Sequence, residues 1–565
     1  MSEEIPDILI AGGGSAGCVL AARLSEDPSR RVLLVEAGPD LPPDNVPKDI
    51  ASAYPGRAYF NTDWLWPGLR VSLSDAGNAP APDRPFEQAR ILGGGSSING
   101  IGANRGAPSD YDGWAEMGAE GWGWSDVLPY FRKLERDLEL DGELHGRDGP
   151  LPIRRIPRSD WSGFVHAAAR SFGALGFAQR DDQNGVWEDG VFPITVNLDE
   201  NGQRASAATS WLPAAVRARS NLRILTRSPV ARLLIEDGRA AGVVLTDGRT
   251  LRAREVIVSA GAIGSPFLLQ RSGIGPGAVL REAGIAVAVD RPGVGANLQE
   301  HPAIGLSAWL GPGARLAAGP RYHIQAILRF SSGMEGVAPG DMHVGIQGRA
   351  GWHAIGQRLG SFYLWVNRSF STGHVRVVGG RDLPAVEFRM LSDPRDLVRL
   401  REGFRLGVRA MAQAPLREAT RAVFPTAYTP KIKKLLAPSL RNGVLTAAAA
   451  PLMDTIPALR DRVIGTATGI PYDVPTLAAD TDLLDAHLRR HVAGVWHPSG
   501  TCRMGRETDP AAVTDPQGRV IGVPGLRVCD ASLMPAIPCA NLNVPVLMMA
   551  EKIADAIRRS RVIRV

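Results

Sequence analysis

Cysteine is scarce in this chain. Its 565 residues include four, Cys18, Cys502, Cys529 and Cys539, and no two of them form a C-x-x-C pair. This usage favours neither a disulfide framework nor a zinc site, and it suits a reducing compartment. We therefore predict a cytoplasmic protein without a metal site.

Long apolar runs and long basic blocks are missing as well. No stretch of about eighteen apolar residues occurs, which predicts that no helix spans a membrane. Residues 1–6 lead straight into a strand-like run, which leaves no room for a signal peptide. The net charge of +6 is spread along the chain, so we expect no nucleic-acid partner.

The length and composition are those of a large globular protein. Hydrophobic residues make up 44% of the chain and charged residues 22%, which are ordinary values. A chain of 565 residues exceeds what one hydrophobic core usually holds. We therefore expect at least two lobes.

A glycine-rich turn near the start has a matching acidic residue. The apolar run at residues 8–10 leads into GGGSAG at residues 12–17, and the next apolar run, residues 32–35, ends in Glu36. Gly12 permits the tight turn, Gly14 lets a pyrophosphate approach, and Gly17 lets the helix pack on the strand. Glu36 follows Gly17 by nineteen positions, where an acid accepts hydrogen bonds from ribose hydroxyls. This order of apolar run, glycine turn, second apolar run and acid predicts a dinucleotide site. Its residues are Gly12, Gly14, Ser15, Ala16, Gly17 and Glu36, and the alternative is a turn that is merely structural.

Two later blocks repeat the strand-then-helix pattern. One is a strand at residues 255–261 followed by a helix that Ser265 and Pro266 are suited to start. The other is a strand at residues 526–529, Asp530, and a closing helix over residues 544–558. These blocks predict an α/β fold whose Rossmann-like lobe is built from discontinuous segments, with an α+β lobe inserted that contains an antiparallel sheet. The predicted limits are 1–155, 221–311 and 491–565 for the first lobe, and 156–220 and 312–490 for the second.

Residues 431–459 combine a basic start with a largely apolar run at 444–450. Such a stretch is typical of a helix that contacts a membrane surface, covers an active site or forms an interface. The sequence leaves these three alternatives open.

Two long motifs make the chain resemble the glucose–methanol–choline (GMC) oxidoreductases. The run ARILGGGSSIN at residues 89–99 is similar to the family's first signature, and residues 261–275 are similar to the second. The similarity is greatest to the hydroxymethylfurfural and aryl-alcohol oxidases of the family, and less to its choline dehydrogenases. It implies an FAD-binding enzyme of the GMC fold. Ile98 stands where some relatives carry a histidine bonded to the flavin, so the resemblance implies FAD held non-covalently.

The resemblance also implies the functional residues. The catalytic base falls on His497, in the loop WHPSGTCRMG, and we expect Asn543 to be the second catalytic residue. Tyr363, Trp365 and Trp496 are expected to wall the substrate pocket. The further cofactor residues are Arg90, Gly94, Gly95, Ser96, Asn99, Ile101, Val230, Asp530, Ala531, Asn541 and Val544.

The implied reaction is the oxidation of a small primary alcohol, aryl or furanic, to its aldehyde. FAD takes the hydride, His497 takes the proton, and O₂ reoxidises the flavin to give hydrogen peroxide. One alternative is a dehydrogenase that passes electrons to a quinone or another carrier, and another is a hydroxynitrile lyase that keeps FAD as structure. We expect a monomer or homodimer. We also expect poor turnover of choline, because choline dehydrogenases carry a Glu where this chain has Gln325.

Overall fold

The structure is a computed structural model that describes residues 5–76, 79–80, 83–317, 319 and 321–562. In those residues the strands are β1 (Ile8–Ala11), β2 (Val32–Val35), β3 (Arg70–Val71), β4 (Asp75–Ala76), β5 (Ala79–Pro80), β6 (Arg84–Pro85), β7 (Glu135–Asp137), β8 (Leu151–Arg155), β9 (Gly190–Pro193), β10 (Thr195–Val196), β11 (Leu222–Leu225), β12 (Val230–Glu236), β13 (Arg239–Leu245), β14 (Thr250–Arg252), β15 (Glu255–Val258), β16 (Ile274–Gly275), β17 (Val289–Asp290), β18 (Ala303–Leu310), β19 (Ile324–Phe330), β20 (Met342–Gln347), β21 (Leu359–Val366), β22 (His374–Arg376), β23 (Ala385–Glu387), β24 (Thr420–Thr426) and β25 (Leu526–Val528).

The α-helices are α1 (Ser15–Leu24), α2 (Lys48–Ala51), α3 (Gly56–Tyr59), α4 (Pro108–Glu116), α5 (Trp124–Leu134), α6 (Gly163–Ala174), α7 (Ala207–Trp211), α8 (Ala214–Arg217), α9 (Gly261–Arg271), α10 (Gly277–Glu282), α11 (Pro394–Met411), α12 (Ala414–Ala419), α13 (Pro430–Leu436), α14 (Leu440–Thr455), α15 (Pro457–Thr468), α16 (Val474–Ala479), α17 (Thr481–His491) and α18 (Asn543–Val562). Short 3-10 helices lie at Thr62–Trp64, Gly94–Ser97, Arg158–Asp160, Pro312–Ala314, Gly356–Arg358 and Ala531–Leu533. Among the described residues, none of the helices combines the length and the apolar character that crossing a bilayer requires.

A five-stranded parallel sheet forms the first lobe, in the order β11-β2-β1-β15-β25. Strands β1 and β2 are apolar and buried along their whole length, as expected for parallel strands covered on both faces. Helices α1 and α18 pack against each other beside this sheet. The sheet draws its strands from residues 8–35, 222–258 and 526–528, so the prediction of a lobe built from separated segments is confirmed.

A six-stranded antiparallel sheet forms the second lobe, in the order β24-β18-β21-β20-β19-β9. Helix α11 lies across β18 and β21 with its apolar face inward. The α/β fold with an α+β second lobe is thereby confirmed. One predicted limit needs correction: β18 falls inside the segment 221–311 that we assigned to the first lobe, yet it hydrogen-bonds to β21 and β24 and so belongs to the second.

The helix predicted to start at Ser265 and Pro266 begins earlier, at Gly261. The Ser265 hydroxyl donates to Asp530 Oδ2 at 2.5 Å and accepts from the backbone N–H of Ala260 at 3.0 Å. Ser265 is therefore the fifth residue of the helix, and Ala260 is its N-cap.

Candidate active site

One large cavity of about 1170 Å³ lies between the two lobes. It exceeds the ~300–1,000 Å³ that is usual for one small ligand, so it has room for a cofactor and a substrate together. Of the cofactor residues expected from the sequence, all but Gly17 and Val544 line it, and so do His497, Asn543, Tyr363, Trp365 and Trp496. Val544 is instead buried in the core beside the parallel sheet.

The first glycine turn forms one wall of this cavity. Gly12 has φ +115°, and a Cβ on it would lie 2.4 Å from the Ser259 carbonyl oxygen, so only glycine fits. A Cβ on Gly17 would lie 2.0 Å from the Gly12 carbonyl oxygen, which explains how α1 packs so close to β1. A Cβ on Gly14 would instead meet its nearest protein atom at 3.9 Å. The space in front of Gly14 is therefore left open on the cavity side.

Glu36 lies at the end of β2 with its carboxylate held by the backbone. Its Oε2 accepts from Gly13 N–H at 2.8 Å and its Oε1 from Gly38 N–H at 2.6 Å. Burial raises the pKa of this carboxyl, while these donors act in the opposite direction. A fixed carboxylate facing the cavity is suited to accept hydrogen bonds from hydroxyl groups of a ligand.

The second glycine loop faces the first. Gly94 touches Gly14 so closely that a Cβ on Gly94 would lie 2.7 Å from the Gly14 Cα. Asn99 Oδ1 accepts from Ile101 N–H at 3.0 Å and from Arg204 at 2.8 Å, which fixes the loop after it. Ile101 is held at φ +63°, a conformation that a β-branched residue rarely adopts. This strained backbone sits where the cavity passes from one lobe to the other.

Asp530, which follows β25, forms hydrogen bonds to the start of α9 and so connects the two later strand-then-helix blocks. Its Oδ2 accepts from Gly261 N–H at 2.9 Å and from the Ser265 hydroxyl, and its Oδ1 accepts from Ser532 N–H at 2.8 Å. Asp530, Ala531 and Val230 all line the cavity. Asp530 thus orients the backbone of both blocks, and burial raises the pKa of its carboxyl.

His497 is oriented by a second histidine, His301, which comes from the loop before β18. The two Nδ1 atoms are 3.0 Å apart, and His301 Nε2 is 3.1 Å from the carbonyl oxygen of Pro538. A carbonyl can only accept, so in neutral His301 the proton is on Nε2 and Nδ1 is the acceptor. His497 therefore donates through Nδ1, and its Nε2 is unprotonated and can accept a hydrogen bond or a proton.

Burial keeps both rings neutral. It lowers the pKa of His301 to about 3, and it lowers the pKa of His497 well below its ordinary value, with His301 adding to the effect. Beneath them Glu300 accepts from the backbone N–H groups of His497, His301 and Val495 at 2.7, 2.9 and 3.3 Å. Burial raises the pKa of Glu300 to about 8. The sequence analysis did not assign Glu300 a role.

Asn541 is the neighbour of His497, and Asn543 is not. Asn541 Nδ2 lies 3.3 Å from His497 Nε2, whereas Asn543 Oδ1 accepts from the Ser15 hydroxyl at 2.8 Å on the glycine-turn side. The expected places of these two residues are thus exchanged. Asn541 precedes α18 and Asn543 is its first residue, so the chain turns between them and sends the two amides to different walls of the cavity.

The three aromatic residues predicted for the substrate pocket do line the cavity. Tyr363 donates to the Gly494 carbonyl oxygen at 2.7 Å, Trp365 to Asn367 at 2.7 Å and Trp496 to Glu87 at 3.1 Å. Their polar atoms are therefore satisfied within the protein, and their ring surfaces are left for apolar contact. The sequence did not indicate the other rings that stand around Trp496, which are Tyr59, Phe86 and Tyr428.

Glu87 is the carboxylate at this aromatic end, and a lysine neutralises it. Lys433 Nζ lies 2.7 Å from Glu87 and 4.9 Å from the centre of the Tyr428 ring. Gln325, which we expected to decide against choline, faces the other side of the sheet. Its amide accepts from Ser162 N–H at 2.8 Å and donates to the Asp160 carbonyl oxygen, while the preceding residue of β19 lines the cavity. Gln325 is the extra residue at a register shift of β19, and its contacts with Ser162 and Asp160 hold it outside the lining of the cavity.

Two clusters in the described residues bring acidic and histidine ligand atoms close together. One is Glu300 with His301 and His497, whose hydrogen bonds are given above. In the other, His145 lies 3.0 Å from Glu135, 3.2 Å from Asp137 and 2.9 Å from Asp182. These carboxylates raise the pKa of His145 to about 10, against the effect of burial, so the ring is a cation in an ion network. The absence of a metal stays a prediction.

The walls of the cavity fit FAD. The open space before Gly14, the uncapped first turn of α1 and the carboxylate of Glu36 suit the pyrophosphate and the ribose of a dinucleotide. Asn543 Nδ2 is buried without a hydrogen-bond partner, as expected of a donor that a ligand satisfies. Ile98 lines the cavity with a side chain that forms no covalent bond to a flavin.

Comparisons with known proteins agree with this site. The family models for the N- and C-terminal parts of GMC oxidoreductases match residues 6–303 and 369–550. The chain is 42% identical to a 5-(hydroxymethyl)furfural oxidase of Methylovorus sp. (strain MP688), with 99% of each chain covered. It is 35% identical to an oxygen-dependent choline dehydrogenase of Pseudomonas savastanoi pv. phaseolicola, covering 98% of this chain and 93% of the relative. Its fold is similar to that of a pyridoxine 4-oxidase from Mesorbium loti, with a TM-score of 0.80, 28% identity, and 98% and 99% of the two chains covered. The chain belongs to the GMC oxidoreductase family of FAD-dependent enzymes.

Proposed function

We propose that the enzyme oxidises small primary alcohols, aryl or furanic, to aldehydes. FAD, when bound, supplies the hydride acceptor, and the chain supplies the proton acceptor and the pocket. The observation that carries the proposal is the unprotonated Nε2 of His497, which faces a cavity walled by aromatic rings. The 42% identity to a furanic alcohol oxidase supports the same substrate class.

His497 accepts the hydroxyl proton at Nε2. Its Nδ1–H stays on His301, so the imidazolium that forms keeps one hydrogen bond and gains its proton on the substrate side. The lowered pKa means that the ring is ready to act as a base across the whole neutral range.

Asn541 is proposed as the second catalytic residue, in place of Asn543. A substrate oxygen that approaches His497 Nε2 also meets Asn541 Nδ2, since the two nitrogens are 3.3 Å apart. The amide then donates to the oxygen as negative charge develops on it, and it holds the carbinol carbon in one orientation. Asn543, paired with Ser15, is proposed to donate to the cofactor through its free Nδ2.

The aromatic end favours neutral alcohols over choline. A quaternary ammonium needs a free carboxylate or an aromatic cage, because it cannot donate hydrogen bonds. Here the ammonium of Lys433 already lies beside the carboxylate of Glu87 and over the ring of Tyr428. We therefore propose that Lys433 is a resident cation that excludes cationic substrates.

For the second half-reaction we propose O₂ as electron acceptor, with a carrier such as a quinone as the alternative. The oxidase and oxygen-dependent names of the relatives support oxygen. We also propose a cytoplasmic monomer or homodimer, since the four cysteines are free and buried.

Anaerobic stopped-flow reduction, followed by mixing with oxygenated buffer, tests the proposal. Benzyl alcohol or hydroxymethylfurfural should bleach the flavin, and oxygen should restore its colour with release of hydrogen peroxide. His497→Ala should slow reduction by ~10²–10⁴ with FAD still bound. His166→Ala, outside the cavity lining, is the matched control and should reduce normally. A flavin that neither alcohol bleaches would refute the proposed substrate class, and slow reoxidation would favour the carrier-dependent alternative.

A further inference from the structure

Exposed apolar side chains are concentrated in the helical cap, which we define as α13, α14 and α15 (residues 430–468). Among the described residues, nine large hydrophobic side chains are exposed, and six of them belong to this segment. Four lie at a spacing of four or eight residues, Leu440 (86% exposed), Val444 (61%), Leu452 (52%) and Ile456 (46%). Each step of four residues turns about 40° around a helix, so these side chains form a broad apolar stripe that covers roughly half the circumference of α14 and reaches its C-cap residue Ile456. Leu445 widens the stripe.

The same cap carries most of the net charge of the protein. It contains six basic residues, Lys431, Lys433, Lys434, Arg441, Arg460 and Arg462, and two acidic ones, Asp454 and Asp461, a net charge of +4 against +6 for the whole chain. Lys431, Lys434, Arg441 and Arg462 are exposed. Asp454 is turned inward, where it accepts from Trp309 at 2.9 Å and pairs with Arg358 at 2.8 Å. The outer face of the cap is therefore apolar with a mainly basic rim, in which Asp461 is the one exposed acid.

The inner face of the cap covers the far end of the active-site cavity. The cavity follows β18, whose residues Ala303, Gly305, Ser307 and Trp309 all line it. Ala303 comes two positions after His301, and the six residue-to-residue steps of strand from Ala303 to Trp309 span about 20 Å. The bond from Trp309 to Asp454 places α14 at that far end. Val463 of α15 lines the cavity and is also 37% exposed, so this wall reaches the surface within the cap.

We propose that the outer face of the cap docks on an anionic lipid surface and that apolar alcohols enter the cavity from there. An exposed apolar helix surface with lysine and arginine close to it is suited to lie in the interface of an anionic bilayer. The cytoplasmic leaflet is such a surface, and each basic residue near it adds about fivefold to the binding constant. A second copy of the chain fits this face poorly. A twofold interface sets each patch against itself and would bring the two basic rims together.

Vesicle co-sedimentation of the FAD-loaded, full-length enzyme tests the proposal. Vesicles of phosphatidylcholine are compared with an equal mixture of phosphatidylcholine and phosphatidylglycerol. We expect at least tenfold tighter binding to the mixture, reduced by high salt. Val444→Gln with Leu452→Gln should weaken this binding at least tenfold, as should Lys434→Gln with Arg441→Gln, and none of these four residues lines the cavity. Val186→Gln, at a 72% exposed residue outside the cap, is the matched control and should bind normally.

Three results would overturn the proposal. One is the absence of binding to either type of vesicle, and another is binding that all the variants retain. The third is self-association of the wild type, seen by analytical ultracentrifugation and lost in the double apolar variant, which would mean that a second copy covers the stripe. Sedimentation does not depend on turnover, so its outcome is separate from that of the proposed alcohol oxidation.

Discussion

Exchanging the expected roles of Asn541 and Asn543 leads to a direct test with matched variants. The two residues are identical in chemistry and two positions apart, but one amide faces His497 and the other faces Ser15. Replacing each by alanine therefore removes the same group from two different walls of one cavity. We expect Asn541→Ala to impair flavin reduction, and Asn543→Ala to impair FAD retention.

The magnitudes follow from the bonds that are lost. Asn541 donates to an oxygen on which charge develops, and such a bond contributes ~1.5–3 kcal/mol, so reduction should slow by about 10–150-fold. Asn543 contributes a neutral bond of ~0.5–1.5 kcal/mol, so FAD should bind about two- to tenfold more weakly. Once Asn543→Ala is saturated with FAD, its reduction rate should be near that of the wild type.

The assay is anaerobic stopped-flow reduction over a range of alcohol concentrations, with FAD content measured in each sample. Combining Asn541→Ala with His497→Ala should cost less than the sum of the two losses, because both side chains act on one oxygen. Normal reduction in Asn541→Ala together with slow reduction in FAD-saturated Asn543→Ala would refute the exchange and restore the expectation from sequence.

Further predictions concern the pocket, the cofactor and pH. Lys433→Met should free Glu87 and Tyr428 and raise the rate with choline relative to benzyl alcohol in initial-rate assays; an unchanged ratio would contradict the role of the resident cation. Gly14→Val should fill the open space before the glycine turn and yield protein without yellow colour. Acid denaturation of the wild type should release all flavin as free FAD, since Ile98 offers no covalent bond. The rate of flavin reduction should show no inflection at pH ~6.5, because burial keeps the pKa of His497 below that value, and an apparent pKa near ~6.5 would count against it as the base. His301 and His323, with pKa values lowered to about 3, stay neutral when folded but take up protons on unfolding below pH ~6.5. The free energy of unfolding should therefore fall as the pH is lowered from ~6.5 toward 3, measurable by denaturant titration, and a constant stability over that range would contradict their burial.

Local patterns were enough to predict the fold and the cofactor. Gly17 is constrained by the Gly12 carbonyl oxygen of its own turn, and the glycine pattern at 12, 14 and 17 is visible in six consecutive residues of the sequence. Strands β1 and β2 of the parallel sheet are apolar throughout, which is the pattern of strands buried on both faces. The family motifs then identified FAD and led to His497.

Only the tertiary structure decided what each polar side chain faces. Asn541 and Asn543 look equivalent in sequence, but the start of α18 turns one toward His497 and the other toward Ser15. Gln325 lies at a bulge of β19 and bonds to Ser162 outside the cavity lining, and Ser265 lies inside α9 with its hydroxyl bonded to the distant Asp530. His301 fixes the tautomer of a residue 196 positions away. A hydrogen bond depends on the direction and the distance between two atoms, and where the partners come from distant segments, both are set only when the whole chain has packed.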